Sequence, residues 1–476
     1  MNSNRPNTLH TYRWLNIFFI FASCFLLSAS LFTQAKPFER PAVMSELLIS
    51  DWDAFKAQLT QAKNIGVTSV STDVWWGKVE GAADQNFDWG YYDRVSTEII
   101  NAGLKWVPIL SFHKCGGNVG DTCDIPIPPW IWQKLSPNNP DGLKYKSEKN
   151  NFSDEVIALW SDGKARSQYL EFIQAFSQRY ADKASHITEI NISAGPAGEL
   201  RYPSYNAHDN WVYPGRGYLQ SYSNNAIEDF QQYARQKYTT LDNVNQAWGS
   251  ALTDWQQIRP PTDDGGADGF FNRQDYLTSQ YGLDLIAWYN QALIDHGQFM
   301  LELANSALSD AYRNVTLGIK IPGVHWLIGS PSLPRVAEVT AGLIPTNIDI
   351  NSDNSAHGYA NIMAMINNVI QVTQRNIVLH FTCLEMSNDN VAPQYSLAQD
   401  LVFWVGNGAG ARNIEIMGEN ALSGGVTNDS GWNNIDNAIR WSAYKGLTVL
   451  RITDLSNNNN LGFNRYQKLI ADPSLK

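Results

Sequence analysis

Short apolar runs alternate with amphipathic stretches along most of the chain. The runs are rich in Val, Ile and Leu, as buried strands are, and they lie at 41–44, 67–74, 105–111, 187–192, 315–321, 376–381, 412–417 and 447–452. Helical periodicity marks the stretches 91–101, 167–181, 226–237 and 276–312. Strand–helix alternation predicts parallel pairing, and eight units predict a closed (β/α)8 TIM barrel with long loops. A doubly wound open sheet is the alternative, but no Gly-x-Gly-x-x-Gly turn supports it.

The first 35 residues are typical of a secretory signal peptide rather than of the fold. Two arginines precede an apolar run from Trp14 to Phe32, and small residues follow. We expect cleavage of residues 1–35, a single domain over 36–476 and a secreted protein. A retained membrane anchor is one alternative, since the run is barely long enough to span a bilayer. A periplasmic or lipid-anchored form is another, although the apolar run continues past Cys24.

The charge of the chain argues against two classes of partner. The formal net charge is −11, and no basic tract is present. Nucleic acid and anionic membranes both require positive surface charge, so neither is expected as a partner of the mature protein. A neutral polymer makes no such demand on charge.

Two cysteines flank a glycine-rich segment. Cys115 and Cys123 lie eight positions apart, and an exported chain meets oxidising conditions. We therefore expect a disulfide that limits the freedom of this loop. Two free thiols or half of a metal site are the alternatives, although no His/Cys cluster with zinc spacing accompanies the pair. Cys383 would then be an unpaired, buried thiol.

Two glutamates are placed for chemistry rather than for packing. Glu199 lies in a turn rich in Gly and Pro after the run at 187–192, and Glu419 follows the run at 412–417. A rigid strand would deliver each acid, and a turn would expose it. Hydrolysis of a glycosidic bond needs two such acids, one to protonate the leaving oxygen and one to activate water. A lone glutamate is more often a solvated surface residue.

Seven polar segments together resemble a known family. They lie at 73–77, 111–121, 195–203, 320–326, 381–386, 418–422 and 450–451. In this order they resemble the β-amylases of glycoside hydrolase family 14, from about residue 40 to the end. The resemblance implies a catalytic barrel that releases β-maltose from the non-reducing ends of α-1,4-glucans, with inversion at the anomeric carbon.

The resemblance also implies the roles of individual residues. Glu199 would be the general acid, with Leu200 and Tyr202 making its pocket partly apolar. Glu419 would be the general base, kept ionised by Asn420 and Lys320. Residues implied to bind substrate or position these acids are Asp73, His113, Asp121, Lys320, His325, Thr382, Asn420, Ala421 and Arg451. Residues 116–121 would form a mobile lid, whose glycines permit hinge conformations.

Three of these residues have a structural alternative. Asp73 could cap the following helix, as Asp often does. His113 could be a structural hydrogen-bonding residue. Arg451 could brace a carboxylate instead of binding sugar.

No cofactor is required by this chemistry, but some bacterial members of the family hold calcium. Glu80 and Asp84 lie in the matching loop, and Glu171 could join them from a helix. Calcium prefers several anionic oxygens, yet position 168 is Gln where the family pattern prefers an acid. An ordinary solvated acidic patch is therefore the alternative to a calcium site.

The C-terminal segment after Arg451 is short. Too few residues follow Arg451 for the C-terminal starch-binding module that some bacterial relatives carry, so none is expected. We expect a monomer that acts on a glucan. The rival functions are a catalytically silent glucan-binding relative, a retaining glycosidase and a structural surface protein.

Overall fold

A closed barrel of eight parallel strands forms the centre of the protein. The computed structural model describes residues 38–118, 121, 123–455 and 460–475, so the predicted signal peptide lies outside the described residues. The barrel strands, in chain order, are Arg40–Met44, Ser69–Trp75, Lys105–Ser111, Glu189–Ile192, Thr316–Ile321, Ile377–Phe381, Glu415–Glu419 and Tyr444–Leu450. Each strand pairs with its neighbours in sequence, and the last pairs with the first. The prediction of a (β/α)8 TIM barrel is confirmed.

Helices surround the barrel and fill the connections between its strands. Their bounds are Trp52–Asn64, Trp76–Val79, Gly90–Asn101, Ile131–Leu135, Asp162–Arg179, Asn224–Tyr238, Leu241–Trp248, Gly266–Asn272, Asp275–Thr278, Gln280–Ala307, Val336–Thr340, Ala360–Thr373, Ala398–Ala411, Asp429–Trp441 and Leu461–Ala471. A two-stranded antiparallel hairpin pairs Tyr145–Lys146 with Phe152–Ser153 in the long connection after the third strand. Among the described residues, no helix is both long and apolar enough to cross a bilayer.

The long helix predicted at 276–312 is wrong in its bounds. Ser279 has an extended backbone, and its hydroxyl accepts a hydrogen bond from Gly282 N at 3.0 Å. This cap ends the short helix Asp275–Thr278 and begins a new one, Gln280–Ala307, because a capped serine satisfies the first free amides of a helix. The apolar period continues across the cap, so periodicity alone could not locate it.

The seventh strand is also displaced from its predicted position. It spans Glu415–Glu419 rather than 412–417, because Asn413 has a φ of 57°, which an extended strand does not allow. Glu419 is consequently the last residue of a strand and does not lie in a turn after it. Asp73 lies within the second strand, Ser69–Trp75, which overlaps the run predicted at 67–74.

Several strands place charged side chains inside the barrel and apolar side chains on their outward faces. In the fourth strand Ile190 and Ile192 are buried in the hydrophobic core. The alternate residue Glu189 faces the interior, where its carboxylate contacts Arg40 of the first strand at 2.7 Å and His380 of the sixth at 2.5 Å. Arg40 also pairs with Glu415 of the seventh strand at 2.8 Å. Side chains that alternate along a strand thus bring charged groups from four strands together inside the barrel.

Candidate active site

A cavity of about 200 Å3 opens at the carboxyl ends of the barrel strands. This end of a TIM barrel is where active sites form, because the loops after the strands converge there. Nine residues predicted from the sequence line the cavity, namely Asp73, His113, Asp121, Glu199, Lys320, Thr382, Glu419, Ala421 and Arg451. His325 and Asn420 are not among the lining residues.

Glu419 lies in a strongly cationic environment. Its Oε2 is 2.6 Å from Lys320 Nζ, and its Oε1 is 3.6 Å from His380 Nδ1. Burial alone would raise the pKa of Glu419, but Lys320 and His380 outweigh burial and lower it to about 2. Burial opposes charge on His380 as well, yet Glu189 and Glu419 raise the pKa of that imidazole to about 9. Glu419 is therefore held as a carboxylate.

Glu199 lies in the predicted turn after the fourth strand. The turn Pro196–Gly198 is a short 3-10 helix. Gly195 precedes it, and this position excludes a side chain because a Cβ there would lie 2.5 Å from Glu199 O. Arg201 Nε donates to Glu199 Oε2 at 2.8 Å. Burial raises the pKa of Glu199, although Arg201 and Lys320 oppose this rise. Glu199 is thus biased toward the protonated form, in contrast to Glu419.

The apolar neighbours predicted for Glu199 do not line its pocket. Leu200 packs toward Gly297 and Met365, and Tyr202 stacks on Tyr289 with ring centroids 3.8 Å apart. A side chain adjacent in sequence points to the opposite face of an extended segment, which explains this correction. The pKa of Glu199 is raised by its depth in the protein.

A backbone hydrogen bond links the acid turn to the strand that carries Lys320. Leu200 N donates to Lys320 O at 2.7 Å, so residue 199 extends the pairing of the fourth and fifth strands. The same strand thus fixes the backbone beside Glu199 and delivers the ammonium group that pairs with Glu419.

Asp73 lies in the second barrel strand, and His113 directly follows the third. Asp73 Oδ1 accepts a hydrogen bond from Ser111 Oγ at 2.8 Å within two paired strands, so Asp73 does not cap a helix. Burial raises the pKa of Asp73, while Arg451 and Ser111 oppose the rise. His113 Nδ1 is 2.8 Å from Ser193 Oγ, and burial together with Lys320 and Arg201 lowers its pKa to about 3. His113 is consequently a neutral imidazole at the cavity wall.

Asn420 supports the backbone beside the cavity rather than the carboxylate of Glu419. Its Nδ2 donates to Leu450 O at 2.9 Å, and its Oδ1 accepts from Leu450 N at 2.8 Å. The prediction that Asn420 keeps Glu419 charged is therefore wrong in its contacts. The buried carboxylate of Glu385 accepts amide hydrogen bonds from Ala421 and Leu422 and fixes the segment after Glu419. Thr382 Oγ1 accepts from Gly323 N at 2.8 Å.

Arg451 and His325 contact groups that the sequence did not suggest. Arg451 Nη1 lies 2.8 Å from Met44 Sδ at the end of the first strand, and its charge acts on the nearby Asp73 carboxylate. His325 Nδ1 lies 2.8 Å from Ser396 Oγ, and burial lowers the pKa of this imidazole to about 4. The ring of His325 is adjacent to Trp326, with centroids 5.4 Å apart.

The segment predicted as a lid is joined to Glu199 through one arginine. Arg201 Nη2 donates to Asn118 Oδ1 at 2.8 Å while its Nε binds Glu199. Asn118 N in turn donates to Asp121 Oδ2 at 2.9 Å. Gly117 has no room for a side chain, because a Cβ there would lie 2.0 Å from Glu155 Oε2. Val119 and Gly120 lie outside the described residues.

The cysteines at the base of this segment face each other. Cys115 and Cys123 adopt the geometry of a disulfide with their Cα atoms 5.6 Å apart. Their neighbouring backbones also pair, since Cys115 N donates to Ile125 O and Ile125 N donates to Cys115 O, both at 3.0 Å. In the described part of the chain, Cys383 is the free cysteine, and it is buried as predicted.

A pair of carboxyl groups with opposed charge preferences at a barrel mouth is typical of glycosidases. Comparison of the sequence with family models gives the decisive observation. The model for glycosyl hydrolase family 14 matches residues 43–471. The chain belongs to glycosyl hydrolase family 14. The predictions of this family and of a β-amylase-type glycosidase are confirmed.

The relatives of this family 14 chain are named as β-amylases. The thermophilic β-amylase of Thermoanaerobacterium thermosulfurigenes is 41% identical over 413 residues, which cover 86% of this chain and 70% of the relative. The β-amylase of Cytobacillus firmus is 41% identical over 412 residues, covering 86% of this chain and 81% of the relative.

Solved structures agree with the sequence relatives. The catalytic domain of the β-amylase from Paenibacillus polymyxa superimposes with a TM-score of 0.79 at 38% identity, covering 92% of this chain and 100% of that one. A β-galactosidase from Halorubrum lacusprofundi reaches a TM-score of 0.55 at 12% identity, over 90% of this chain and 57% of that one. This second likeness shows a shared fold alone.

Two charged residues of the family 14 site were missed from the sequence. His380 lies between Leu379 and Phe381 in a strand, and a histidine flanked by apolar residues in a barrel strand points to the interior. That signal could have identified it. Arg201 was part of a recognised segment, but its bond to Glu199 depends on a turn whose geometry the sequence does not reveal.

The predicted calcium ligands of the family 14 chain come together away from the cavity. Oxygen atoms of Glu80, Asp84 and Glu171 all lie within 4.8 Å of one another. Glu80 is buried, and the other two are partly exposed. The three residues predicted as calcium ligands are therefore adjacent in the fold.

Proposed function

We propose that this family 14 chain hydrolyses α-1,4-glucans, such as starch and maltooligosaccharides, from their non-reducing ends. The product would be maltose, released with inversion as the β-anomer. The single observation that carries the proposal is that two glutamates at one cavity have opposite pKa shifts, since the pKa of Glu199 is raised and that of Glu419 is lowered. The names of the relatives, which are β-amylases, support this choice of substrate.

Glu199 is assigned as the general acid. Burial favours its protonated form, and Arg201 binds Oε2, which leaves Oε1 to carry the proton. Glu199 would donate this proton to the glycosidic oxygen as the bond to the anomeric carbon breaks. Protonation of the leaving oxygen prevents the formation of a free alkoxide, which is why such a step gives a large rate gain.

Glu419 is assigned as the general base. Lys320 and His380 keep it ionised, so it can accept a proton from water as that water attacks the anomeric carbon. Attack from the face opposite the leaving group inverts the configuration. This geometry needs the two carboxyl groups to be roughly 6.5–9.5 Å apart, with the water between the sugar and the base.

The remaining residues are proposed to hold the glucan. Asp73, His113 and Asp121 would bind the sugar at the non-reducing end, and Arg451 would hold Asp73 or the sugar itself. On the departing side of the scissile bond we place Lys320 and His325. Thr382 and Ala421 would orient the water and Glu419, and Asn420 would fix the backbone that carries them.

A short incubation with maltohexaose tests the proposal. We expect maltose as the initial product and the β-anomeric proton signal first in NMR spectra, because inversion at an α-linkage gives a β-product. Fresh α-maltose would instead indicate a retaining glycosidase, whose carboxyl groups lie about 5–5.5 Å apart. Binding of maltohexaose without any release of reducing sugar would indicate a catalytically silent glucan-binding protein.

We further propose that residues 1–35 direct export and that the mature enzyme acts outside the cell as a monomer. N-terminal sequencing of the exported protein tests the cleavage site. Light scattering on the purified protein tests the oligomeric state. Intact mass shows whether a lipid is attached.

A further inference from the structure

A lysine side chain pairs with one carboxylate of the acidic cluster formed by Glu80, Asp84 and Glu171. Lys134, in the helix Ile131–Leu135, donates from Nζ to Asp84 Oδ2 and to Gln168 Oε1, the latter at 3.2 Å. Its charge also acts on Glu171. The ammonium group therefore binds an oxygen of Asp84, one of the three carboxylates that a metal ion at this cluster would use.

Both oxygens of the Glu80 carboxylate already accept hydrogen bonds from protein donors. Its Oε2 accepts from Trp76 Nε1 and its Oε1 accepts from Gln85 N, both at 2.7 Å. The backbone carbonyl of Glu80 also accepts from Trp130 Nε1 at 2.8 Å. These bonds fix the orientation of the carboxylate and leave a metal ion only the remaining lone pair of each oxygen.

Gln168 completes the arrangement around the ammonium group. Its side chain is buried, its Oε1 faces Lys134, and its Nε2 donates to Glu171 Oε2 at 3.2 Å. A neutral amide satisfies both neighbours at once, since it offers an acceptor to the lysine and a donor to the glutamate. A glutamate at position 168 would supply acceptors only and would face Glu171 with like charge.

These contacts do not fit a calcium ion. Calcium takes about 6–8 oxygen ligands and prefers anionic ones, whereas here two carboxylate oxygens accept protein N–H bonds and one site is filled by an ammonium group. We propose that Lys134 is the resident cation of this cluster and that the protein needs no calcium at this position. The ammonium group of Lys134 would thus take the place of the calcium ion that some bacterial members of the family hold.

The position of the cluster gives this replacement a structural role. Glu80 and Asp84 follow the second barrel strand, Gln168 and Glu171 belong to the helix Asp162–Arg179, and Lys134 follows the lid segment in the chain. Lys134 therefore ties the segment that follows the lid to two fixed parts of the barrel.

The test compares calcium binding by the wild type and by Lys134→Gln after treatment with EDTA and removal of the chelator. Calcium is titrated by calorimetry and by thermal melting, with magnesium in parallel. Lys56→Gln is the matched control, because Lys56 is an exposed lysine that pairs with Asp53 at 2.8 Å. A further variant adds Gln168→Glu to Lys134→Gln and restores an acidic ligand.

We expect the melting temperatures of the wild type and of Lys56→Gln to be insensitive to calcium. Lys134→Gln should melt at a lower temperature and recover with calcium but not magnesium, with a Kd of about 10⁻⁴–10⁻³ M, as in extracellular calcium modules. The double variant should bind calcium more tightly than Lys134→Gln. Folding of Lys134→Gln only in the presence of calcium would support the proposal equally.

Two results would overturn it. One is a wild-type protein that contains stoichiometric calcium or melts at a higher temperature when calcium alone is added. The other is a folded Lys134→Gln variant whose melting temperature is lower but does not respond to calcium. The wild-type titration decides the question even if no variant can be produced, and neither result depends on the assignment of the catalytic residues.

Discussion

Two glutamates acquire different charge preferences from the groups beside them. Glu419 contacts an ammonium and an imidazolium group, and its pKa falls to about 2. Glu199 contacts only the guanidinium group of Arg201, which does not offset its burial, and its pKa is raised. Because we propose an acid role at one position and a base role at the other for the same residue type, the assignment rests on surroundings and not on sequence.

Exchanging either carboxyl group for an amide should separate the two roles. We expect Glu199→Gln and Glu419→Gln each to lower kcat for starch about 10²–10⁴-fold or more, since proton transfer is lost while shape is kept. A substrate with a good leaving group, such as α-maltosyl fluoride, needs no proton donor. It should restore activity to Glu199→Gln but not to Glu419→Gln.

Oligosaccharide binding provides the control for these variants, because it should remain close to the wild type in both. The melting temperature of Glu419→Gln should fall, since the amide leaves the buried Lys320 and His380 without their carboxylate partner. Starch hydrolysis by Glu199→Gln at a rate near that of the wild type would refute the assignment of the acid. Equal rescue of both variants by the fluoride would show that the two roles are not distinct.

His380 should control the acidic limb of the pH–activity profile. Its imidazolium lies 3.6 Å from Glu419 and helps to keep that carboxylate ionised. In His380→Asn the pKa of Glu419 should rise by about one unit, at the low end of what one neighbouring charge contributes, so the acidic limb of kcat/KM moves to higher pH. The alkaline limb, which depends on Glu199, should move less.

His357→Asn is the matched control for this shift, because His357 pairs with Asp353 at 2.9 Å and does not line the cavity. Its profile should coincide with that of the wild type. A general loss of activity in His380→Asn with both limbs unmoved would mean that His380 has a packing role only.

At the scale of elements, the described part of the segment between Cys115 and Cys123 is joined to the proposed acid. Asn118 binds Arg201, which binds Glu199, so order in this loop and orientation of the acid are connected. A loop closed by a covalent bond has fewer conformations when unfolded, which favours the ordered form.

Replacing both cysteines with serine should loosen this element. The two cysteines are eight positions apart in sequence, and closure of a loop of this length predicts a loss of roughly 2–3 kcal/mol in the free energy of unfolding. We also expect a higher KM for maltohexaose, because the lid must then be ordered by the substrate. Calorimetry and steady-state kinetics measure the two effects, and the wild type under reducing agent is the control. Three free thiols in the exported wild type, found by intact mass, would show that the bond does not form.

The sequence predicted the elements better than it predicted their contacts. Strand–helix alternation was sufficient for the barrel, because apolar periodicity directly reflects which faces are buried. The ends of elements were less certain, since Ser279 and Asn413 alter the backbone without interrupting the apolar pattern. The interior pairings of Arg40, Glu189 and His380 join residues more than a hundred positions apart, and periodicity carries no information about such contacts.

At the scale of the whole molecule, a chain of charged groups, buried at Glu189, His380 and Glu419 and partly exposed at Glu415 and Arg40, runs along the inside of the barrel. It leads from Glu415 and Arg40 through Glu189 and His380 to Glu419. The chain connects the amino-terminal ends of the strands to the cavity at their carboxyl ends. Burial of so many charges is tolerated because each one has a partner of opposite sign.

This chain of charges should give stability a defined pH dependence. The pKa of His380 is raised from 6.5 to about 9, so its contribution is complete below pH 6.5 and is lost as the pH rises through 9. The pKa of Glu419 is lowered from 4.5 to about 2, so its contribution is present above pH 4.5 and is lost as the pH falls through 2. Both groups should therefore contribute their full stabilisation between pH 4.5 and pH 6.5.

Calorimetric melting from pH 5 to 10 measures the alkaline part of this dependence. The difference in melting temperature between the wild type and His380→Asn should shrink as the pH rises from 6.5 to 9, because deprotonation removes the charge that the variant already lacks. The His357→Asn variant should show no such convergence. A difference that stays constant over this range would argue against a charged His380 in the folded state.

The hydrogen bond from Leu200 N to Lys320 O has a consequence for how such an enzyme can diversify. In the mechanism proposed above, the anomer of the product depends on the spacing of the two carboxyl groups. This hydrogen bond ties the backbone beside Glu199 to the strand whose Lys320 pairs with Glu419. We therefore expect exchange of the other loops around the barrel mouth to change chain-length preference more readily than the anomer released.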